Sequence, residues 1–396
     1  MKILIALSRF PYPTDKGDKL RAYYQIRDLS RNNELYVICL TEEMPSEKDK
    51  EHIRSYCKQL EIIPLNTLSK YLNLFFGIFN RRPFQVNYFQ SSQMEKKIGE
   101  LLEKEAIDLC YIQLLRLVNN VPFGRKTTYY LDYMDALSEG MRKRLRYSRW
   151  FEKPLVNWEF KRLRKFEEEI ASYFAGYSII SKPDAEVFSE KIKQKISIIP
   201  NGVNEDFFVD TRSAFDTREY DVIFTGNMGY HPNVQACKYL VNQILPLLLK
   251  RFKKIKICLA GTSPSQEVLA LQGEHVVVTG FVEDIKSWLL NSKLFVAPLF
   301  SGSGLQNKLL ESMATGLPTL TTSLANSALK AEEGKQIIVC DDAESFAENI
   351  INLLENEEKA ETLGLAGQAF IKENYNWSAC NQKLESELQD CLMKIS

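Results

Sequence analysis

A lysine and a glutamate, Lys308 and Glu311, stand three residues apart just after a serine- and glycine-rich stretch at 301–304. The apolar run at 293–298 predicts a buried strand, and apolar residues between 305 and 313 recur with helical spacing. A strand, a glycine loop and a helix start in this order form an anion site, because free N–H groups and the helix dipole favour negative charge. Lys308 and Glu311 share one helix face, so a cation for phosphate and a carboxylate for sugar hydroxyls can reach one ligand. The stretch therefore predicts a nucleotide-sugar site.

Two further carboxylates, Asp132 and Asp135, follow an apolar segment at 128–131 that predicts a strand. A carboxylate at the end of a parallel strand points toward the ligand edge of an α/β sheet, so either one could act as base toward an acceptor hydroxyl. The alternative is that they cap a helix that begins near Ala136. If the leaving phosphate itself takes the proton, no side-chain base is required.

Short apolar segments alternate with helical ones, which predicts an α/β fold with parallel sheets covered by helices on both faces. The predicted strands are 2–7, 34–40, 59–63, 109–113, 128–131, 177–181, 196–199, 220–225, 256–260, 276–279, 293–297, 318–321 and 336–339. A turn at 200–203 and a polar stretch at 204–219 separate two series, so we expect Rossmann-like, doubly wound domains at 1–198 and 199–372. Such domains place a ligand cleft between them, at the carboxyl ends of the strands.

Composition limits the classes of function. The formal net charge is zero, but residues 1–200 carry 34 Lys or Arg and 26 Asp or Glu, whereas the rest carry 17 and 25. The two halves are therefore expected to bind different partners. The net charge of zero argues against binding to nucleic acid. Eight scattered cysteines without zinc spacing predict reduced, buried thiols in a cytosolic protein. The N-terminus lacks a signal-peptide pattern, and no run of about 18 apolar residues predicts a membrane span.

A basic and aromatic region marks the first half. Ten Lys or Arg lie between 142 and 165, interleaved with tryptophans and phenylalanines, and an aromatic segment at 71–79 precedes two arginines at 81–82. Basic residues with exposed aromatics favour a membrane surface or a lipid-diphosphate acceptor. The alternative is a solvated helix face that covers core aromatics.

Six motifs in a fixed order carry a family resemblance. They are PNGV at 200–203, FTGNM at 224–228, GFVED at 280–284, the GSGxxxKxxE-like stretch at 302–311, AxGxP at 314–318 and YNW at 375–377. Together they resemble the retaining GT-B glycosyltransferases of family 4. The segments 11–17 and 132–138 are similar to a bacterial branch linked to exopolysaccharide assembly. The resemblance covers most of the chain and is densest from 196 to 377.

The resemblance implies a role for each motif residue. Glu311 would hold the donor ribose, and Lys308 would neutralise the leaving phosphate. The other donor-binding residues it implies are Gly304 and Leu305 for the diphosphate, Gly280, Phe281 and Val282 beside the base, Gly226 and Asn227 in the loop after the first strand of the second domain, and Gly17 beside the diphosphate or acceptor. Ser303 stands where the family often has the first of two glutamates, which is assigned to the sugar ring.

We therefore expect a retaining glycosyltransferase that moves a sugar from a nucleotide-diphosphate-sugar to a saccharide or polyprenyl-linked acceptor. No Asp-x-Asp motif lies near the site and the three histidines are isolated, so we expect no metal and no cofactor besides the donor. By the resemblance, the helix at 373–396 packs back onto the first domain. The expected location is the cytoplasm, either free or at the inner face of the membrane. A nucleotide-sugar epimerase and a non-catalytic nucleotide or sugar binder remain alternatives.

Overall fold

The computed structural model describes residues 1–145, 148–209, 215, 217–302 and 304–393. The chain divides into two compact units, Met1–Pro200 with Ser378–Ser396, and Asn201–Trp377. These boundaries fall a few residues after the predicted ones at 198 and 372. Ser303 and Arg146 lie outside the described residues.

The first unit contains a parallel sheet of seven strands in the order β3-β2-β1-β4-β5-β6-β7. The strands are β1 Lys2–Leu7, β2 Glu34–Thr41, β3 Gln59–Pro64, β4 Leu109–Gln113, β5 Thr128–Met134, β6 Gly176–Ile179 and β7 Ile196–Ile198. Its central strands are buried on both faces, so alternate residues enter different cores: Ile3 and Ile5 of β1 join one core, and Leu4 and Ala6 join the other.

Helices of the first unit cover both faces of this sheet. They are α1 Gly17–Leu29, α2 Glu47–Arg54, α3 Thr67–Gly77, α4 Phe84–Tyr88, α5 Ser92–Lys104, α6 Leu137–Arg144, α7 Lys153–Glu169, α8 Lys182–Ala185 and α9 Glu190–Lys193, with 3₁₀ turns at Leu115–Asn120 and Ile170–Ser172. Most of α3 stays outside the core, since Gly77 is its only buried residue.

The second unit contains a parallel sheet of six strands in the order β10-β9-β8-β11-β12-β13. The strands are β8 Tyr220–Thr225, β9 Ile257–Ala260, β10 Val276–Gly280, β11 Ser292–Ala297, β12 Thr319–Thr321 and β13 Ile338–Val339. The helices are α10 His231–Tyr239, α11 Leu245–Leu248, α12 Gln266–Leu269, α13 Ile285–Leu290, α14 Asn307–Ala314, α15 Ser323–Leu329, α16 Ala343–Glu355 and α17 Glu357–Asn374, with a 3₁₀ turn at Glu205–Phe207 and a π-helical turn at Leu240–Ile244.

The last helix, α18, runs from Trp377 to Met393. From Ser378 onward it belongs to the first unit, where Leu384 and Leu388 share an apolar core with Ile26 of α1. Each predicted strand overlaps an observed one, and the predicted α/β class with two doubly wound parallel sheets is confirmed. Within the described residues, no helix has the length and apolar character needed to cross a membrane.

In both sheets the strand order reverses beside the first strand of the unit, between β1 and β4 and between β8 and β11. The loops that leave two such strands at their carboxyl ends run in opposite directions and leave a crevice, which is where α/β sheets bind ligands. In the second unit these loops begin at Gly226 and after Ala297. The predicted nucleotide-sugar residues therefore flank a topological switch point.

Candidate functional site

Lys308 is the second residue of α14, and its side chain reaches across the switch point toward β8. Its Nζ donates a hydrogen bond to Oδ1 of Asn233 at 2.5 Å and lies 5.0 Å from the centre of the Phe224 ring. Gly226 makes this reach possible: a Cβ on Gly226 would lie 3.2 Å from Nζ of Lys308 and 2.8 Å from Nδ2 of Asn233. A side chain at 226 would therefore displace the lysine.

The backbone ends of three neighbouring strands meet tightly at the same edge. Gly226 and Gly261 both have positive φ, 152° and 151°, and a Cβ on Gly261 would lie 1.8 Å from the Gly226 carbonyl oxygen. The Gly261 N–H donates to the Gly280 carbonyl at 3.2 Å. Only glycine fits at Gly261, which sequence reasoning missed although it directly follows the predicted strand at 256–260.

The loop residues on the rim have distinct surroundings. Oδ1 of Asn227 accepts from the Gly229 N–H at 2.9 Å, which fixes the turn after β8. Gly280 ends β10 with φ of 70°, and Phe281 beyond it is 71% exposed. Val282 is half-buried beside it. An exposed aromatic ring at a strand end provides a face on which a nucleobase can stack.

The segment before α14 presents backbone donors. Gly304 has a φ of 77°, and helix α14 begins at Asn307, two residues later than the spacing predicted. Within the described residues, no hydrogen bond engages the N–H groups of Gly304 and Leu305, and no side chain caps the first turn of α14. These donors and the positive end of the helix dipole suit an anion.

The two charged side chains of α14, Lys308 and Glu311, are half-buried. Burial shifts the pKa of each toward its neutral form. Desolvation lowers the pKa of Lys308 to about 8, against the opposing influence of Cys237 and Glu311. Desolvation raises the pKa of Glu311 to about 7, partly offset by Lys308. In the part of the chain that is described, the Glu311 carboxylate has no hydrogen bond or ion pair. A desolvated cation and an unpaired carboxylate at one edge are typical of a ligand site.

The terminal motifs of the second unit brace the start of α14. A Cβ on Gly202 would lie 2.4 Å from the backbone nitrogen of Trp377, so the two chain segments pass in direct contact. The Val203 N–H donates to the Tyr375 carbonyl at 2.8 Å. Nδ2 of Asn201 donates to Oδ1 of Asn307 at 3.2 Å, which ties this crossing to the first residue of the helix.

Asp132 requires a correction: it lies inside β5, which continues to Met134, and does not follow a strand that ends at 131. Its side chain is fully buried and pairs with Arg21 of α1, whose Nε donates at 2.7 Å. The hydroxyls of Tyr111 and Ser178 each donate to the carboxylate at 2.8 Å. With both oxygens engaged and no solvent access, Asp132 is a structural anion and does not offer a base to an acceptor.

Sequence reasoning also missed Arg21, whose Nη1 donates to the Ile199 carbonyl at 2.9 Å and so ties β5 and α1 to the end of β7. Its partners are distant in sequence, so no local signal marks it.

Asp135 lies just beyond β5 with an exposed side chain. The surrounding protein desolvates the carboxyl and Asp184 repels its charge, which together raise its pKa to about 6. The alternative that the two aspartates cap a helix is wrong, because the N-cap position of α6 is Ala136 and no side chain caps it. Asp135 is thus accessible from solvent, as a base toward an acceptor hydroxyl has to be.

Gly17 is the first residue of α1, beside the switch point of the first sheet. The next residue, Asp18, accepts from Nη1 of Arg9 at 2.5 Å, so charged side chains stand next to this helix start. Among the described residues, no group of three or more His, Cys, Asp or Glu is arranged to hold a metal ion. All eight cysteines are free thiols, and all but the half-buried Cys57 are buried.

The sequence is similar to a family of known proteins and to a bacterial protein of nearly the same length. Residues 219–356 match the profile of the family described as "Glycosyl transferases group 1". The chain is 22% identical over 398 residues to a 44.6 kDa protein in the cps region of Klebsiella pneumoniae, covering 95% of this chain and 96% of the relative.

Solved structures show the same fold. The Anabaena protein HepE in complex with UDP and glucose is 13% identical, with coverage of 98% and 99% and a TM-score of 0.67. Sucrose-phosphate synthase from Thermosynechococcus elongatus is also 13% identical, with full coverage of both chains and a TM-score of 0.67. The chain therefore has the GT-B fold, and the family match together with this fold supports a glycosyltransferase.

Proposed function

We propose that this protein is a retaining, family 4 hexosyltransferase that uses a nucleotide-diphosphate-sugar donor and a saccharide or polyprenyl-linked acceptor. We place its role in bacterial polysaccharide or glycolipid biosynthesis. The sequence similarity to a protein in a cps region supports that context. The structural similarity to HepE, which was solved in complex with UDP and glucose, supports a donor whose nucleotide is UDP.

The observation that carries the proposal is the pair on α14. Lys308 reaches across the switch point to Asn233 and Gly226, and the Glu311 carboxylate lies one helical turn away on the same face. A cation at the position of the leaving diphosphate and an acceptor for ribose hydroxyls are the two groups that donor binding needs. The Glu311 carboxylate has no hydrogen bond or ion pair among the described residues that would offset the cost of its desolvation.

In the proposed reaction the bond between the sugar C1 and the diphosphate oxygen breaks, and negative charge develops on the phosphate. Lys308 and the N–H groups of Gly304 and Leu305 stabilise that charge, which is typically worth several kcal/mol in a desolvated site. The acceptor oxygen bonds to C1 on the face that the phosphate leaves. Its proton passes to the departing phosphate, with Asp135 as the alternative base. No metal ion is invoked.

The proposal is tested by release of nucleoside diphosphate from UDP-sugars, with and without saccharide and polyprenyl phosphate acceptors. We expect acceptor-dependent release that Lys308→Met or Glu311→Ala reduces at least 100-fold, a loss typical of transition-state contacts. Glu348→Gln, an exposed carboxylate on α16, is the matched control and should retain full activity. Sugar conversion without an acceptor would indicate an epimerase, and binding without turnover would indicate a non-catalytic binder.

Retention needs its own measurement. The anomeric configuration of the product is read from proton coupling constants, and it should match that of the donor. An inverted product would overturn the retaining assignment while leaving the donor site intact.

A further inference from the structure

Helix α3 presents an apolar face to solvent. Its leucines and aromatics recur at helical spacing from Leu68 to Phe76, yet this stripe points away from the core. Phe76 is 61% exposed, and Phe79, just beyond the helix, is 76% exposed. An amphipathic helix normally buries its apolar stripe, so a contiguous exposed one marks a surface that meets another apolar phase.

Hydrogen bonds from side chains of α7 fix the position of helix α3. Nη1 of Arg162 donates to the carbonyls of Gly77 at 2.8 Å and Arg82 at 3.0 Å, which fixes the carboxyl end of α3. The Glu159 carboxylate accepts from the Phe84 N–H at 2.8 Å, which anchors α4 to the same helix. The exposed orientation of α3 is therefore built into the fold.

The start of α7 extends the same surface. Trp150 is 83% exposed, and Leu155 and Trp158 are exposed on α7. An apolar cavity of about 780 Å³ is lined by Phe75 and Ile78 on one side and by Leu155 and Trp158 on the other, so the two helices contribute to one surface. We call the exposed apolar residues of 68–79 and 150–158 the α3–α7 surface.

Cations adjoin the α3–α7 surface: Arg144 lines the cavity between the two helices, and Arg81 and Arg82 follow Phe79 closely in the chain. Arg81, Arg82, Arg144, Lys153 and Lys161 are exposed, and none of them forms an ion pair within the described residues. The carboxylate at 159 is engaged by backbone N–H groups. An apolar centre with a cationic border complements a bilayer that contains anionic lipids, because apolar side chains enter the acyl boundary while cations remain with the phosphates.

We propose that the α3–α7 surface docks this protein on an anionic lipid bilayer, with α3 lying in the interface plane. A second copy of the chain is a poorer occupant, since it would bring the same cations together. Docking needs neither donor nor turnover, so this inference stands independently of the proposed activity.

The test is flotation of the full chain with vesicles of phosphatidylcholine alone or with about 30% phosphatidylglycerol. We expect binding to the anionic vesicles, weaker binding to neutral ones, and release by salt. Phe76→Ser/Phe79→Ser and Arg81→Glu/Arg82→Glu should each lower the partition coefficient about tenfold or more. Leu324→Ser and Lys253→Glu/Lys254→Glu, exposed substitutions in the second unit, are matched controls and should bind like wild type.

All these side chains are exposed, so the variants should melt like wild type. Absence of binding to anionic vesicles by the folded wild type would overturn the proposal, as would equal binding by the variants. If sedimentation instead showed a dimer that Phe76→Ser/Phe79→Ser dissociates, with no vesicle binding, the occupant would be a second copy. A UDP-induced rise in melting temperature, measured on the same samples, reports on the donor site separately.

Discussion

Lys308 should make nucleotide binding depend on pH in an alkaline window. Burial lowers its pKa to about 8, so the free protein loses this charge just above neutral pH. A bound diphosphate lies against the ammonium in our account and holds it protonated. Binding of UDP therefore takes up a proton, and affinity falls as pH rises through the pKa of the free enzyme.

The size of the effect follows from that pKa. The apparent Kd for UDP scales with one plus the ratio of neutral to charged Lys308 in the free protein. Because the free-state pKa is about 8, this apparent Kd should rise roughly fivefold from pH 8 to pH 9. About half a proton should be taken up per UDP bound at pH 8. Glu311, with a pKa of about 7, is already mostly ionised in this window and contributes little.

Isothermal titration of UDP at pH 8 and 9, in buffers of different ionisation enthalpy, measures both quantities. Lys308→Arg is the control, because a guanidinium stays charged across the window and removes both the pH dependence and the proton uptake. Any ionisation of UDP itself is common to the two proteins. Identical pH dependence in wild type and Lys308→Arg would refute the placement of this lysine against the diphosphate.

Four other substitutions extend the account. Glu311→Gln should raise the free energy of unfolding of the free protein at pH 8 by about 1–3 kcal/mol, measured by urea denaturation. The reason is that a carboxyl whose pKa is raised to about 7 in the folded protein costs stability as pH rises from 4.5 through 7. No gain in stability would argue against a desolvated carboxylate. Asp132→Asn should cost about 3–5 kcal/mol by leaving Arg21 buried without its counter-charge, and a change below 1 kcal/mol would contradict the buried pair. Gly226→Ala should weaken UDP binding about tenfold or more by displacing Lys308, and unchanged affinity would show that the Gly226 contact is not needed. Asp135→Asn should leave the pH dependence of kcat unchanged, because the leaving phosphate takes the proton in the proposed reaction; a lower kcat that no longer falls at acid pH would instead assign the base to Asp135.

The positions of the strands and the α14 motif could be predicted because both are local. Apolar runs and glycine punctuation define the strands, and Lys308 and Glu311 share a face by helical geometry alone. Asp132 shows where this reasoning ends, because its partners Arg21, Tyr111 and Ser178 are 111, 21 and 46 residues away along the chain. Only the assembled sheet shows that these side chains meet inside it.

Helix α3 illustrates a second limit. Periodicity indicates which residues share a face, but it does not say whether that face is covered, so its outward orientation needed the structure. The glycine at 261 is a third case. Its requirement for a positive φ and contact with the Gly226 carbonyl depends on how two strand ends approach each other.

The most direct test of the central claim is thermal shift against UDP, GDP, ADP, TDP and CMP with their common sugars. A ligand present at about 100 times its Kd stabilises the native state by about 2.7 kcal/mol, which raises the melting temperature by several degrees. We predict such a shift with UDP and its sugars that Lys308→Met and Glu311→Ala abolish and Glu348→Gln leaves unchanged. No shift with any nucleotide, or a shift that survives in both site variants, would contradict a donor site at α14.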